Sequence, residues 1–342
     1  MINIKNIVRP NIIELQPYSS ARDEFNSKDG IFLDANENPF GSLNRYPDPY
    51  QKELKQELAN KKEVDTNAIF VGNGSDEVID LAFRIFCRPG IDKALTFSPT
   101  YGMYDVSASI NNIALLKIPL NKDFQFDMNM VSPYLNDKSI KLIFICSPNN
   151  PSGNLMDKSD IEFILNNFNG IVIIDEAYID FAEKESLINL ISKYNNLVIS
   201  QTFSKAWGLA AARVGIAYAN KEIISFYNKV KPPYNVSELS QKAAIKALKN
   251  YSSYQENLKI ILKEKKQLKN NLLELDLVKK IYPSDANFLL IEVDNADKIY
   301  TFLVSKQIIT RNRNKQVSNC IRISVGTSEE NQKLITALKN IL

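Results

Sequence analysis

The chain has no histidine among its 342 residues. That excludes Ser-His-Asp and Cys-His catalysis and every histidine-ligated metal site, so a general base here must be a lysine, carboxylate, tyrosine or cysteine. Cysteine is scarce as well: Cys87, Cys146 and Cys320 lie far apart, with no metal-ligand spacing and no pairing motif. An odd, scattered set reads as free thiols in a reducing compartment. Net charge is small, +3 from 42 basic and 39 acidic residues. Charge that weak and dispersed gives no argument for nucleic acid or an anionic membrane as partner. Long hydrophobic runs are missing: residues 142–146 and 171–174 are far too short to span a bilayer. Residues 1–6 carry no apolar stretch leading to a small-residue cleavage site. The expected location is the cytoplasm, with no membrane and no nucleic acid involved.

What is present is an ordinary globular composition, 44% hydrophobic and 24% charged, long enough for a large domain and a smaller one. Short apolar runs at 31–34, 69–71, 94–97, 115–118, 142–146, 171–175 and 197–201 read as strands. Helical periodicity falls between them at 50–61, 78–87, 101–109 and 160–168. Strands alternating with helices predict an α/β fold with a mostly parallel central sheet flanked by helices. A lysine-rich helical stretch over 238–275, interrupted near Asn250, leads to a smaller α+β unit. That unit has strands at 286–293 and 320–325, a helix at 296–306, and a last helix opened by the capping-box spacing of Thr327 and Glu330. The expected division is an amino-terminal arm (1–30), a large domain (31–240) and a small carboxy-terminal domain (241–342).

In such sheets ligands gather at the carboxyl ends of the strands. The chemistry-bearing residues fall there: the 72–77 loop, Asn149-Asn150, Asp175, and Ser204-Lys205. Lys205 stands among hydroxyls, small apolar residues and Arg213, a setting that lowers an amine's proton affinity and makes it nucleophilic toward a carbonyl carbon. The plainer alternative is a lysine closing a strand. Asp175 ends an apolar strand and needs a cationic partner, for which a protonated pyridine nitrogen serves; capping the next turn is the alternative. Tyr178 and Asn150 can donate to a phenolate oxygen. Tyr101 can stack on a planar ring or simply fill the core. Gly74, Ser75 and Asp76 open a helix whose free amides suit an anion, although a capped helix without ligand explains them equally well. With Thr202, Ser204 and Arg213 they supply what a phosphate monoester requires. Pyridoxal phosphate is the common cofactor that combines an aldehyde, a pyridine nitrogen, a phenolate and a phosphate.

At this point the chain resembles the fold-type I pyridoxal-phosphate aminotransferases, and within them the histidinol-phosphate aminotransferases. The resemblance rests on motifs in the family's order: Gln16-Pro17-Tyr18-Ser19-Ser20-Ala21-Arg22, Leu33-Asp34-Ala35-Asn36-Glu37-Asn38-Pro39, Arg45-Tyr46-Pro47, Gly72-Asn73-Gly74-Ser75-Asp76-Glu77, and Pro99-Thr100-Tyr101-Gly102-Met103-Tyr104. It continues through Ser147-Pro148-Asn149-Asn150-Pro151, Asp175-Glu176-Ala177-Tyr178, Ser204-Lys205-Ala206 and Ile321-Arg322-Ile323-Ser324-Val325-Gly326.

The resemblance implies a ping-pong transamination between histidinol phosphate and 2-oxoglutarate, or in the other direction imidazole-acetol phosphate and glutamate, as in histidine biosynthesis. It gives Lys205 the covalent link to the cofactor aldehyde and the proton transfer between substrate Cα and cofactor C4′. It assigns Asp175 to the pyridinium, Asn150 and Tyr178 to the phenolate oxygen, Tyr101 to the ring face, and Gly74, Ser75, Asp76, Thr202, Ser204 and Arg213 to the phosphate. Tyr46 would reach that phosphate from the neighbouring subunit of a homodimer with shared active sites. Arg322 would grip the substrate's anionic group with Arg311 as a second clamp, while Tyr18 and Asn36 close over the site. As a charged run, Arg311-Asn312-Arg313 also reads as an exposed loop. Trp207, Ala211-Ala212 and Ser152 depart from the residues common in the family. Aromatic amino-acid aminotransferase and threonine-phosphate decarboxylase activities share the fold and stand as alternatives.

Overall fold

The computed structural model describes residues 2–18 and 30–341. The tail of the first motif, Ser19-Ser20-Ala21-Arg22, lies outside the described residues. Seven strands form the larger sheet: β1 (Ile69–Asn73), β2 (Lys93–Ser98), β3 (Ala114–Pro119), β4 (Ile140–Cys146), β5 (Ile171–Asp175), β6 (Leu197–Thr202) and β7 (Val214–Ala219), in the order β1-β7-β6-β5-β4-β2-β3. From β6 to β3 every pairing is parallel, whereas β7 runs antiparallel to both β6 and β1. The sheet is therefore mostly parallel with one reversed strand.

The central strands are apolar on both faces because helices cover both. Ile143, Ile145, Val172, Ile174 and Ile199 pack into one core, while Phe144, Ile173, Val198 and Ala217 pack into the opposite one. Successive residues of a strand point to opposite faces, which is why neighbours in β4 and β5 join different cores. Each fully buried valine or isoleucine contributes roughly 1.5–3 kcal/mol. The helices Ser75–Phe86 and Lys221–Val230 help cover the second face through Val78, Ile79, Phe83, Ile223 and Ile224.

Besides the helix Lys221–Val230 and the strands Val278–Ile281 and Arg311–Asn312, which the sequence reading did not include, two differences bear on the site. Residues 31–34 are not a strand; Ile31 and Leu33 are 92% and 89% exposed, and a β-run with no neighbouring strand to take its hydrogen bonds has nothing to hold it extended. Strand β7 was not anticipated. Its Val-Gly-Ile-Ala-Tyr-Ala composition is poor in strand formers at half its positions, yet every residue is buried.

The second sheet contains β8 (Val278–Ile281), β9 (Phe288–Val293), β10 (Arg311–Asn312) and β11 (Cys320–Ser324), in the order β10-β11-β9-β8 and antiparallel throughout. Its own core joins Leu289, Ile291 and Ile321 to Leu268, Leu272, Leu303 and Leu334 from three helices. The stretch leading to it is two helices, Glu238–Lys249 and Tyr251–Leu273, which meet at Asn250. The final helix, Ser328–Lys339, carries the capping box of Thr327 and Glu330.

Candidate active site

Sheet direction explains what meets at the site. Because β7 is reversed, its first residue lies at the same edge as the carboxyl ends of β1, β5 and β6. That edge collects the 72–77 loop, Asp175, Thr202 and Arg213, and β4 adds Asn149 and Asn150 in the loop after Cys146. The turn after β6 carries Ser204 and Lys205.

The amide-rich end is closely built. Gly72 of β1 and Thr202 of β6 both sit opposite Gly215 of β7. A Cβ on Gly215 would press into the Gly74 carbonyl carbon and the Ser75 nitrogen. Glycine at 215 is therefore a packing requirement of the loop that starts the helix Ser75–Phe86. Gly74 has φ +81°, and a Cβ there would meet Arg213 Nη2 at 2.5 Å. Arg213 Nη2 lies 3.2 Å from Asp76 Oδ2, and its Nη1 donates to Ser204 Oγ at 3.4 Å. The Ser204 amide donates to Thr202 Oγ1 at 3.1 Å. First-turn amides have no carbonyl a turn earlier to bond, so Ser75 and Asp76 present N–H groups beside a guanidinium and two hydroxyls. Gly74, Ser75, Asp76, Thr202, Ser204 and Arg213 are thus brought together.

Asp175 sits at the other end. It is 2% exposed, and its carboxylate accepts from Tyr104 OH at 2.9 Å and from the Ala177 amide at 3.1 Å. Burial pushes it up to about 6 against the pull of those two donors. Tyr101 donates its hydroxyl to Asp76 Oδ1 at 3.1 Å and meets Tyr104 edge-on, centroids 5.7 Å apart. Tyr104 was missed as a site residue; Tyr101 lies before the helix Met103–Ile110, so helical spacing does not link the two in the sequence.

Lys205 points along an open wall, but its amine is held below the usual lysine range by desolvation first, then by the Arg322 charge. Its Nζ lies 5.6 Å from the centre of the Tyr178 ring. The Tyr178 hydroxyl is raised by burial, and its ring packs edge-on against Phe288 at 5.1 Å. From the second sheet Arg322 Nη1 donates to Asn150 Oδ1, and its guanidinium lies 5.0 Å from the Phe288 ring centre. Asn149 beside it is held by Thr100 Oγ1, Ser152 Oγ and the Pro99 carbonyl. The bond between Asn150 and Pro151 is cis, as are those before Pro99 and Pro148.

Two cavities flank the loop from Ser204 to Arg213. One of about 690 Å³ opens on Lys205, Trp207, Tyr254 and Gly326. The other, about 480 Å³, is lined by Arg213, Asn73, Tyr46 and Tyr234. Tyr46 stacks on Tyr234 at 4.4 Å, so this chain's own Tyr46 stands beside Arg213. Tyr18 and Asn36 are not brought to Lys205 within the chain. Tyr18 lies 68% exposed near Pro49 and Tyr50, and Asn36 is exposed. Arg311, which pairs with Arg322 across the second sheet, is in a short strand and not a loop.

Comparison with known proteins identifies the family of this fold. The family model for aminotransferase class I and II matches residues 21–338. A histidinol-phosphate aminotransferase of Christiangramia forsetii is 51% identical over 344 aligned positions, covering 99% of this chain and 98% of the relative. The solved histidinol-phosphate aminotransferase of Clostridium acetobutylicum superposes with a TM-score of 0.80 at 26% identity, over 87% of this chain and 90% of that one. A Sinorhizobium meliloti structure, solved in complex with pyridoxal-5'-phosphate, gives a TM-score of 0.80 at 23% identity, over 89% and 88%; at that identity it speaks for the fold alone. The chain belongs to the class I and II aminotransferases, in the branch of the histidinol-phosphate aminotransferases.

Proposed function

We propose that this enzyme moves the amino group between glutamate and imidazole-acetol phosphate, giving histidinol phosphate and 2-oxoglutarate, with pyridoxal phosphate as cofactor. The observation that carries the reading is Asp175, a buried carboxylate raised to about 6 with neutral donors against it and no cation in contact among the described residues. A protonated ring nitrogen supplies the missing charge. The residues fit the rest of the group: the Gly215 cradle and Arg213 suit a phosphate, and Lys205 is an amine with lowered proton affinity. When bound, the cofactor provides an aldehyde that takes up the amino group and a ring that withdraws electrons from the bond being broken.

The chain's own residues take the remaining parts. Lys205 Nζ would hold the aldehyde of the cofactor and would serve as the base for the substrate Cα proton. Asp175 holds the ring nitrogen protonated, with Tyr104 OH fixing the carboxylate. Asn150 and Tyr178 address the phenolate oxygen, and Tyr101 flanks the ring. Ser75 and Asp76 amides, with Thr202, Ser204 and Arg213, hold the phosphate. Arg322 takes the substrate's anionic group, with Arg311 beside it.

Part of the proposal is a homodimer, located in the cytoplasm, in which Tyr18 and Asn36 complete the partner's site, whereas Tyr46 lines the cavity of its own chain's Arg213. Ile31, Leu33, Phe40 and Leu43 are 60–92% exposed along the segment that holds Asn36 and precedes Tyr46, which favours a covering subunit. A sedimentation mass of two chains is required; a monomer carrying full activity would refute it. The division at residues 30 and 240 belongs to the same proposal; the second sheet has a core of its own from Leu268 on, while Ala244 and Leu248 still pack into the larger one.

The substrate assignment is tested by half-reactions on the cofactor-loaded enzyme, followed at its visible band. Rapid conversion by histidinol phosphate with little by phenylalanine or tyrosine supports the reading. The reverse preference makes it an aromatic aminotransferase, and loss of carbon dioxide from threonine phosphate makes it a decarboxylase.

A further inference from the structure

Strand β10 places Arg311 directly opposite Arg322 of β11, and facing residues of an antiparallel pair project from the same side of the sheet. The ladder runs one residue further, with the Arg313 amide donating to the Cys320 carbonyl at 2.9 Å. Two residues on from Arg311, Arg313 returns to that side. Three guanidinium groups therefore project from one face of the second sheet, the face on which Arg322 meets Phe288 and Asn150.

Arg313 is not a solvated surface side chain. It is partly buried, and its Nε is buried without a hydrogen-bond partner. Arg322 Nε is in the same condition. Arg313 Nη1 makes one bond, to Gln316 Oε1 at 3.2 Å. Burial holds this arginine down at about 10, with the Arg322 and Arg311 charges pushing the same way, and among the described residues no carboxylate acts on it. Nor is a carboxylate among the charges acting on Arg322. Three like charges with no counter-ion among the described residues, two of them with buried and unpartnered Nε donors, suit an anion. A carboxylate brings one charge and two oxygens, which Arg311 and Arg322 can saturate. A phosphate monoester brings up to two charges and three terminal oxygens.

We propose that Arg313 is the specificity-determining third guanidinium of the substrate pocket, tipping it toward a phosphate dianion over a carboxylate. The inference rests on the reading that Arg322 and Arg311 hold the substrate's anionic group. It is tested on the cofactor-loaded enzyme with Arg313→Gln and Arg313→Lys, measuring both half-reactions and competition by inorganic phosphate. Arg313→Gln lowers kcat/KM for histidinol phosphate by on the order of 10–100-fold, mostly through KM, a loss in the range of a charge-assisted hydrogen bond. The glutamate half-reaction changes by less than about threefold, the inhibition constant of inorganic phosphate rises in parallel with the KM for histidinol phosphate, and Arg313→Lys restores part of the loss. An equal fall for both substrates makes Arg313 a structural residue and overturns the proposal, as does no change in either. If the unaltered enzyme does not use histidinol phosphate, the functional reading fails first, and phosphate competition still decides the role of Arg313.

Discussion

Asp175 is a buried carboxylate whose hydrogen-bond donors among the described residues are neutral, with the Lys205 charge acting only at a distance, and this has a measurable consequence in the cofactor-free protein. Its folded value of about 6 lies above the ordinary 3.8 because burial opposes the charged form. The folded chain therefore binds more protons at this group than the unfolded chain does between those values. Stability from the group is present below about pH 4 and is lost as pH rises through about 6. A shift of roughly two units corresponds to about 3 kcal/mol. Chemical denaturation of the cofactor-free enzyme and of Asp175→Asn, at about pH 4 and about pH 7, reads this directly. The stability difference should move by on the order of 3 kcal/mol in the variant's favour at the higher pH. A pH-independent difference would mean that Asp175 is not desolvated as described. The strand ending at Asp175 was legible in the sequence because four apolar β-formers precede it. Tyr104, which anchors the carboxylate, was not, because a tyrosine inside a helical stretch looks like any core aromatic until the fold brings the helix Met103–Ile110 against β5.

At the scale of elements, the proposed phosphate cradle depends on a reversed strand. Had β7 run parallel to β6, Arg213 would lie at the far edge of the sheet, away from Gly74 and Ser204. Sequence patterning missed this strand because Gly215, Ala217 and Ala219 are weak strand formers, and the glycine is there to let the 72–77 loop cross it. The opposite error, a strand at residues 31–34, follows from reading apolar residues without knowing whether a neighbour exists to pair with them. Gly215→Ala tests the cradle. The methyl group has backbone on its near side and cannot be absorbed by a rotamer change, so the cofactor-free protein should lose roughly 1–3 kcal/mol or more, the range of overpacking. Equilibrium dialysis should show pyridoxal phosphate binding at least about tenfold weaker as the first-turn amides shift. Unchanged binding would place the phosphate elsewhere.

Over the whole molecule, two sheets with separate cores meet at one line of chemistry, where Arg322 from the smaller sheet reaches Asn150 at the edge of the larger. The alternation of strands and helices carried the architecture, and the order of the motifs carried the site. What lay beyond the sequence was relative position, such as the approach of Arg313 to Arg322 and Tyr178. The proposal turns on Lys205, the amine that, in a chain without histidine, would serve both bond formation and proton transfer. The most direct measurement reduces the cofactor-loaded enzyme with borohydride and maps the modified lysine by peptide mass. The account predicts label at Lys205 alone, no stable label in Lys205→Ala, and a fall in transamination of at least about a thousandfold in that variant, within the range for losing a general base together with a nucleophile. Label persisting on another lysine, or near-normal turnover by Lys205→Ala, would contradict it.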